Sequence, residues 1–394
     1  MTKLGKMPLL AKIAVALAAG AALGQIAPVA AVRIANTFTG FFDQFIRFMV
    51  PLIIVGLVTS AIADTGRRAG KMLVVTVALA FVSTILAGMF SYAVSSGIFP
   101  GIVAEGSMKS VETAEVSLAP FVEIKIPAII DVMSALVFSF VFGLGAVFFR
   151  TVTLKPIFAD MREVVSGVIE RVIVPLLPFY IFGIFLDMAA AGKVKSVLLA
   201  FAAVVAVEAV MTIALLLAQY AAAGAVARVN PFRALAAMAP AYFTALGTSS
   251  SAATIPVTRN QVIRAGVRPE VADFTVPLCA TVHLAGSTVK LVACAVALLI
   301  AAGDAQLVNL PTFIKFVSML AVVAVAAPGV PGGAVMASLA ITESVLGFGK
   351  EQTALYITLY IATDSFGTAC NVTGDGAISL IVNRIFPKRS GSEE

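Results

Sequence analysis

The sequence predicts an all-α membrane protein of eight transmembrane helices and two re-entrant helical hairpins, arranged as inverted repeats. Three observations lead there. The chain is 60% hydrophobic and 12% charged, against about 25% charged in soluble domains. Charge-free stretches recur at 72–104, 172–186 and 316–342, and a membrane-spanning helix needs about 20 apolar residues. These runs lack the alternation that strands of a membrane β-barrel show over about 10 residues.

The elements follow in order. The start, "MTKLGKMPLLAKIAVALAAGAALG", has the basic head and apolar run of a signal peptide. Residues 13–32 are nevertheless uncharged and long enough to span, so an uncleaved first helix is expected over 10–32. Further spans are expected at 42–64, 70–100, 125–149, 164–188, 195–227, 270–301 and 350–385. Basic residues alternate in side along this threading. Lys3, Lys6 and Lys12 precede the first helix, Arg67, Arg68 and Lys71 follow the second, and Arg150 and Lys155 follow the fourth. Arg228 and Arg233 follow the sixth, and Arg384, Lys388 and Arg389 close the last. The loop 101–124 carries Glu105, Glu112, Glu115 and Glu123 instead. The bias predicts a multi-pass protein of the plasma membrane (the inner membrane of a bacterium) with cytoplasmic N- and C-termini. It also accounts for the net charge of +6 without a nucleic-acid partner.

Two apolar segments, 231–263 and 309–347, are broken in the middle by "TALGTSSSAATIPVT" and "APGVPGGAVMAS". With eight spans already fixing the sides, these segments must return to the face they came from. Backbone freed at such breaks is tolerated where protein or a wet cavity satisfies it. Each hairpin precedes a helix that carries polar residues, and such a repeat places a substrate site near the midplane, a logic the general account of transporter folds already contains. Cys279, Cys294 and Cys370 lie in apolar segments without metal-site or disulfide spacing.

Asp364, Thr368, Asn371 and Asp375, in "DSFGTACNVTGD", are spaced i, i+4, i+7 and i+11 and share one helical face. Intramembrane acids mark ion or substrate paths. Carboxylate and amide oxygens suit hard cations such as sodium, and a carboxylate also suits a substrate ammonium. The bland reading pairs these acids with cations in the bundle, Lys290 or Arg384.

"NVTGD" after an acid and a threonine, "TSSSAATIPVT" and "GVPGG" together resemble the dicarboxylate/amino acid:cation symporter family, which includes glutamate and aspartate transporters. The resemblance covers nearly the whole chain and is strongest over about 235–386. It implies a glutamate-transporter-like fold and a homotrimer with an elevator mechanism. Scaffold helices 1–2 would occupy 1–66 and helices 4–5 would occupy 105–190. The transport domain would take helix 3 (67–104) and 191–394, with helix 6, hairpin 1, helix 7, hairpin 2 and helix 8. In the substrate site, Asp364 and Thr368 would hold an amino group, Asn371 a carboxylate, and Ser250 and Ser251 would present backbone and hydroxyl groups. Gly329, Val330, Pro331, Gly332 and Gly333 would form the extracellular gate, with Gly367, Lys290 and Ser287 also lining the site. Sodium ions would be the coupling ions and no other cofactor is implied. Their ligands would come from Asn371, Asp375, Cys279, Thr281, His283 and Leu284.

The departures bear on substrate and ion. Acidic-substrate members keep an arginine where this chain has Gly367, and the alternative arginine position is Ser249. With no guanidinium fork for a second carboxylate, a small neutral amino acid is favoured, as in the serine/threonine branch. Helix 7 of acidic-substrate members reads Asn-Met-Asp-Gly-Thr, where this chain has "HLAGS". Ala285 therefore removes a sodium-site aspartate. His283, the single histidine, replaces an asparagine and admits either proton coupling or a neutral role in the core. Lys290, two helical turns on and nearly in phase, could replace the missing arginine for a C4-dicarboxylate or acidic amino acid, or act as counter-ion to an acid. Glu208 is a buried acid with a relay or structural role. A serine-protease reading of Ser249–Ser251 with His283 lacks a GxSxG elbow and an orienting acid, so no enzyme is expected.

Overall fold

The computed structural model describes residues 9–64, 71–106, 119–149, 152–192, 194–324 and 332–387. Its helices are α1 (Leu9–Leu23), α2 (Val29–Asp64), α3 (Lys71–Ile98), α4 (Val132–Phe148), α5 (Leu154–Val168), α6 (Val174–Ala190), α7 (Val194–Ala227), α8 (Pro231–Ala237) and α9 (Ala239–Thr248). The remainder are α10 (Ser251–Arg264), α11 (Pro269–Val282), α12 (Ala285–Ala301), α13 (Leu310–Ala324), α14 (Gly333–Leu346) and α15 (Lys350–Ile385). The all-helical membrane architecture expected from the sequence is present, with no strand among the described residues.

Several boundaries differ from expectation for local reasons. The first helix stops at Leu23 rather than 32, because the 24–28 segment ends in Pro28 and the chain restarts as α2 at Val29. The fourth begins at Val132 rather than 125: Pro127 blocks an earlier start, and the Asp131 carboxylate accepts from Ser134 N as an N-cap. α5 and α6 run as one long helix through a wide π turn at Ile169–Ile173, directly before Pro175, whose ring cannot donate to the preceding turn. The seventh span, expected unbroken, is interrupted at His283 and Leu284, whose φ/ψ are −107/100 and −119/38.

Both broken segments are hairpins. The arms α10, α13 and α14 have 14, 15 and 14 residues, about 21–23 Å at 1.5 Å per residue, short of the ~30 Å hydrocarbon core. Hairpin 1 turns at Ser249, which takes the left-handed conformation (φ 49). Around it Thr248 Oγ1 lies 3.3 Å from Thr254 Oγ1, and Ser250 Oγ accepts from Ala253 N at 3.3 Å. The tip of hairpin 2, including Gly329, Val330 and Pro331, lies outside the described residues.

Packing places α12 and α15 at the centre. α12 touches α3, α7, α13 and α15, while α15 also touches α7, α9, α10, α11 and α14. Every α12 residue is buried, a pattern expected of a core helix rather than of one facing lipid. On the other side α2 packs on α4, α5 and α6, and α1 on α6. Polar links join the two groups. Arg47 of α2 pairs with Asp43 at 3.0 Å and with Glu343 of α14, and Tyr180 donates to the Lys350 carbonyl at 3.4 Å.

Candidate functional site

α15 is a single helix of 36 residues, so its polar stripe stays in phase and inside the protein. Asp364, Thr368, Asn371 and Asp375 are 6%, 7%, 2% and 1% exposed. Three of these four side chains meet a place where another segment stops being helical. Asp364 Oδ2 accepts from Gly332 N at 2.9 Å, at the start of the returning arm of hairpin 2. Asn371 Oδ1 accepts from Gly286 N at 2.8 Å and Ser287 N at 3.2 Å, capping α12 from outside. Its Nδ2 donates to Ser287 Oγ at 2.9 Å. Asp375 Oδ1 lies 2.8 Å from His283 Nδ1, on the unwound stretch. Thr368 instead donates to the carbonyl of Asp364 one turn back, at 3.1 Å.

His283 sits in a polar network. Gln219 Nε2 donates to Ser83 Oγ at 3.0 Å, and that hydroxyl lies 3.1 Å from His283 Nε2. The other ring nitrogen, Nδ1, faces the Asp375 carboxylate. Ser83 and Gln219 were not singled out from the sequence. Their signal is weak: Ser83 is one of several hydroxyls in α3, and Gln219 is a single amide in a largely apolar α7.

The chain is unwound at His283 and Leu284, so helical phase alone does not link His283 to Lys290, yet both side chains pack on α15, His283 at Gly374 and Lys290 at Gly367. His283 also meets α3 and α7. Lys290, wholly buried, faces Tyr360, with Nζ 4.4 Å from the ring centre and 3.5 Å from the Tyr360 carbonyl oxygen. It fills the room that Gly367 leaves. A methyl group on Gly367 would stand 2.9 Å from Lys290 Cδ and 3.1 Å from its Nζ. Gly286 matters for the same packing: a methyl there would lie 2.5 Å from Cys370 Cβ and 2.7 Å from the Gly367 carbonyl. Close approach through small residues is how membrane helices gain contact.

Other expected residues stand apart. Ser250 is half-buried and caps α10, and Ser251 opens that helix and is buried. The Thr281 hydroxyl is exposed and bonds the Leu278 carbonyl at 2.9 Å. Cys279 is a buried free thiol, and Leu284 is half-buried on the unwound stretch. Among the described residues no three His, Cys, Asp or Glu side chains gather as a metal cluster. A cation here would have to be held by hydroxyl, amide and main-chain oxygens beside a carboxylate, the ligand type of sodium rather than of a transition metal.

A model of the sodium:dicarboxylate symporter family matches residues 9–385. The chain belongs to the sodium:dicarboxylate symporter family. Within it, the chain is similar to the serine/threonine transporter SstT of Acinetobacter baumannii strain AYE, at 27% identity over 398 residues, 96% of this chain and 97% of that one. Strain SDF of the same organism has a counterpart at 28% over 399 residues, with the same coverage. A shorter match, 31% over 172 residues, reaches excitatory amino acid transporter 3 of Mus musculus and spans 41% of this chain and 31% of that one. Family and relatives are transporters, so this symporter-family chain is a membrane carrier and not an enzyme.

Replacing Asn371 with Leu removes the acceptor of two buried N–H groups at the start of α12. Each stranded donor costs about 1–3 kcal/mol. Thermal unfolding of the detergent-purified N371L variant is expected at clearly lower temperature than wild type, with Asn371→Asp, which keeps the acceptor, much closer to it.

Proposed function

We propose that this protein is a sodium-coupled symporter that takes up a small neutral amino acid of the serine, threonine or alanine type. The observation that carries the substrate class is the pairing of Gly367 with Lys290. Where an acidic-substrate carrier would offer an unengaged cation, this chain has a glycine, and the lysine occupying its space stands in electrostatic reach of two carboxylates of the protein, Asp364 and Glu208. A third carboxylate, on a substrate side chain, would find no further cation there. The serine/threonine transporters similar over nearly the full length support the same class.

In this reading the substrate ammonium sits on Asp364, with Thr368 beside it. The substrate carboxylate meets Ser250, Ser251 and the free N–H groups at the start of α10, since a helix N-terminus favours an anion. Asn371 then acts chiefly by holding α12 open at Ser287 rather than by grasping the carboxylate itself. Asp364 also bonds Gly332 N, so substrate and hairpin 2 share one carboxylate, and occupancy is sensed by the hairpin directly. Sodium takes the other oxygen of Asp375 and main-chain oxygens around the unwound segment, near Cys279, Thr281, His283 and Leu284. Binding of ion and substrate favours the closed, mobile state by their differential affinity for it.

The division into scaffold (1–66 and 105–190) and transport domain (67–104 and 191–394), the elevator motion and the homotrimer belong to this same proposal, as does a bacterial-type inner-membrane location with cytoplasmic termini. The grouping of α1, α2, α4, α5 and α6 on one side and the hairpins around α12 and α15 on the other supports it.

Proteoliposomes given separate sodium and proton gradients should accumulate serine, threonine or alanine under sodium. Accumulation of aspartate or succinate alone would instead assign Lys290 to a substrate carboxylate, and uptake driven only by protons would remove sodium. Asp364→Asn deletes a charged partner worth about 1.5–3 kcal/mol, so its apparent affinity for serine should fall about 10- to 100-fold in the same assay.

A further inference from the structure

Glu208 has no part in the site described above, yet it is 2% exposed in the middle of α7. Cys294 Sγ donates to its Oε1 at 3.1 Å, whereas Oε2 is buried with no hydrogen-bond partner. Lys290 stands one turn before Cys294 on α12, so both side chains leave the same side of that helix. Asp364 lies on α15, one turn after Tyr360. The Lys290 ammonium therefore lies in electrostatic reach of two acids on two different helices, while its direct contacts are the carbonyl and ring of Tyr360. It forms a direct ion pair with neither acid.

A buried ammonium poised between two buried carboxylates, one of them with an unused oxygen, is a charge with two stations. A lysine's four-carbon stem is flexible enough to reach either, and here that stem lies in the space that Gly367 leaves. We propose that Lys290 is a tethered counter-ion: it balances Asp364 when no substrate is bound, and moves to the free oxygen of Glu208 when a substrate ammonium takes its place. Glu208 is then the parking site that makes Asp364 available, and Lys290 is what allows the empty carrier to return across the membrane without a bare buried carboxylate. The remaining groups facing this cluster, Tyr356, Tyr360 and the hydroxyl of Thr363 on α15 and the thiols of Cys294 and Cys370, bring no second cation. The proposal rests on Asp364 being the seat of the substrate's amino group.

The test compares two transport modes in proteoliposomes containing the full-length protein and radiolabelled serine. Net uptake into empty vesicles requires return of the empty carrier; exchange into serine-loaded vesicles does not. The double variant Lys290→Met/Glu208→Gln removes the cation and its parking site together. Its exchange should be reduced far less than its net uptake, because the substrate ammonium still neutralises Asp364 in the loaded carrier. Its net uptake should fall by more than about tenfold, since an unpaired intramembrane acid must now cross. Glu208→Gln alone should raise the serine concentration for half-maximal transport about tenfold in both modes, because Lys290 has no alternative to Asp364. Equal losses in both modes from a double variant that still melts like wild type, or an unchanged half-maximal concentration in Glu208→Gln, would overturn the proposal. Should wild-type protein exchange no serine, threonine or alanine at all, the fault lies with the reading of Asp364, and the tethered counter-ion falls with it.

Discussion

One constraint organises the molecule: backbone that leaves helical geometry inside a membrane must find hydrogen-bond partners within the protein. Among the described residues the chain leaves helical geometry at the tip of hairpin 1, at Gly332 ahead of α14 and at His283–Leu284. The side chains that answer come largely from one face of α15. Asn371 accepts from two N–H groups at the start of α12, Asp364 from one at the start of α14. Asp375 holds the histidine of the unwound stretch. Removing any of these would strand donors where water cannot replace the partner. The polar ladder is therefore a structural seam, and in the proposed reading the binding site uses the same atoms.

That economy explains how occupancy can be linked to movement. Asp364 holds hairpin 2 and, in the proposed reading, the substrate. Asp375 holds His283 and offers its other oxygen to an ion. A ligand arriving at either carboxylate changes how a non-helical segment is satisfied, and those segments are the parts of the fold least fixed by helical hydrogen bonding.

Much of this was legible in the sequence because membrane burial is written in composition. Four of the eight spans, the third and the last three, lie within a few residues of expectation, while the first, second, fourth and fifth differ by seven or more at one end; both hairpins sit where glycine, proline and serine interrupt apolar runs. The i, i+4, i+7, i+11 stripe was readable because α15 is one continuous helix. The break in the seventh span was not. "HLAG" carries no proline at the break, and what stabilises the interruption is Asn371, 85 residues away. The roles of Ser83 and Gln219 depend on how α3 and α7 rotate toward α12, which periodicity in a nearly uniform apolar helix does not specify. The space at Gly367 was recognised as a missing arginine, but only the packed structure shows Lys290 filling it.

The central claim is that Asp364 is where the substrate's amino group binds and through which hairpin 2 responds. The most direct measurement is an electron cryomicroscopy map of the protein in lipid nanodiscs with sodium and serine, at a resolution that shows the ligand. The account predicts ligand density with its amino group within hydrogen-bond distance of the Asp364 carboxylate and its carboxylate toward the start of α10. Lys290 should have moved off the Tyr360 face toward Glu208. Serine density elsewhere in the protein, with Asp364 bonded to Gly332 alone and Lys290 unmoved, would contradict it.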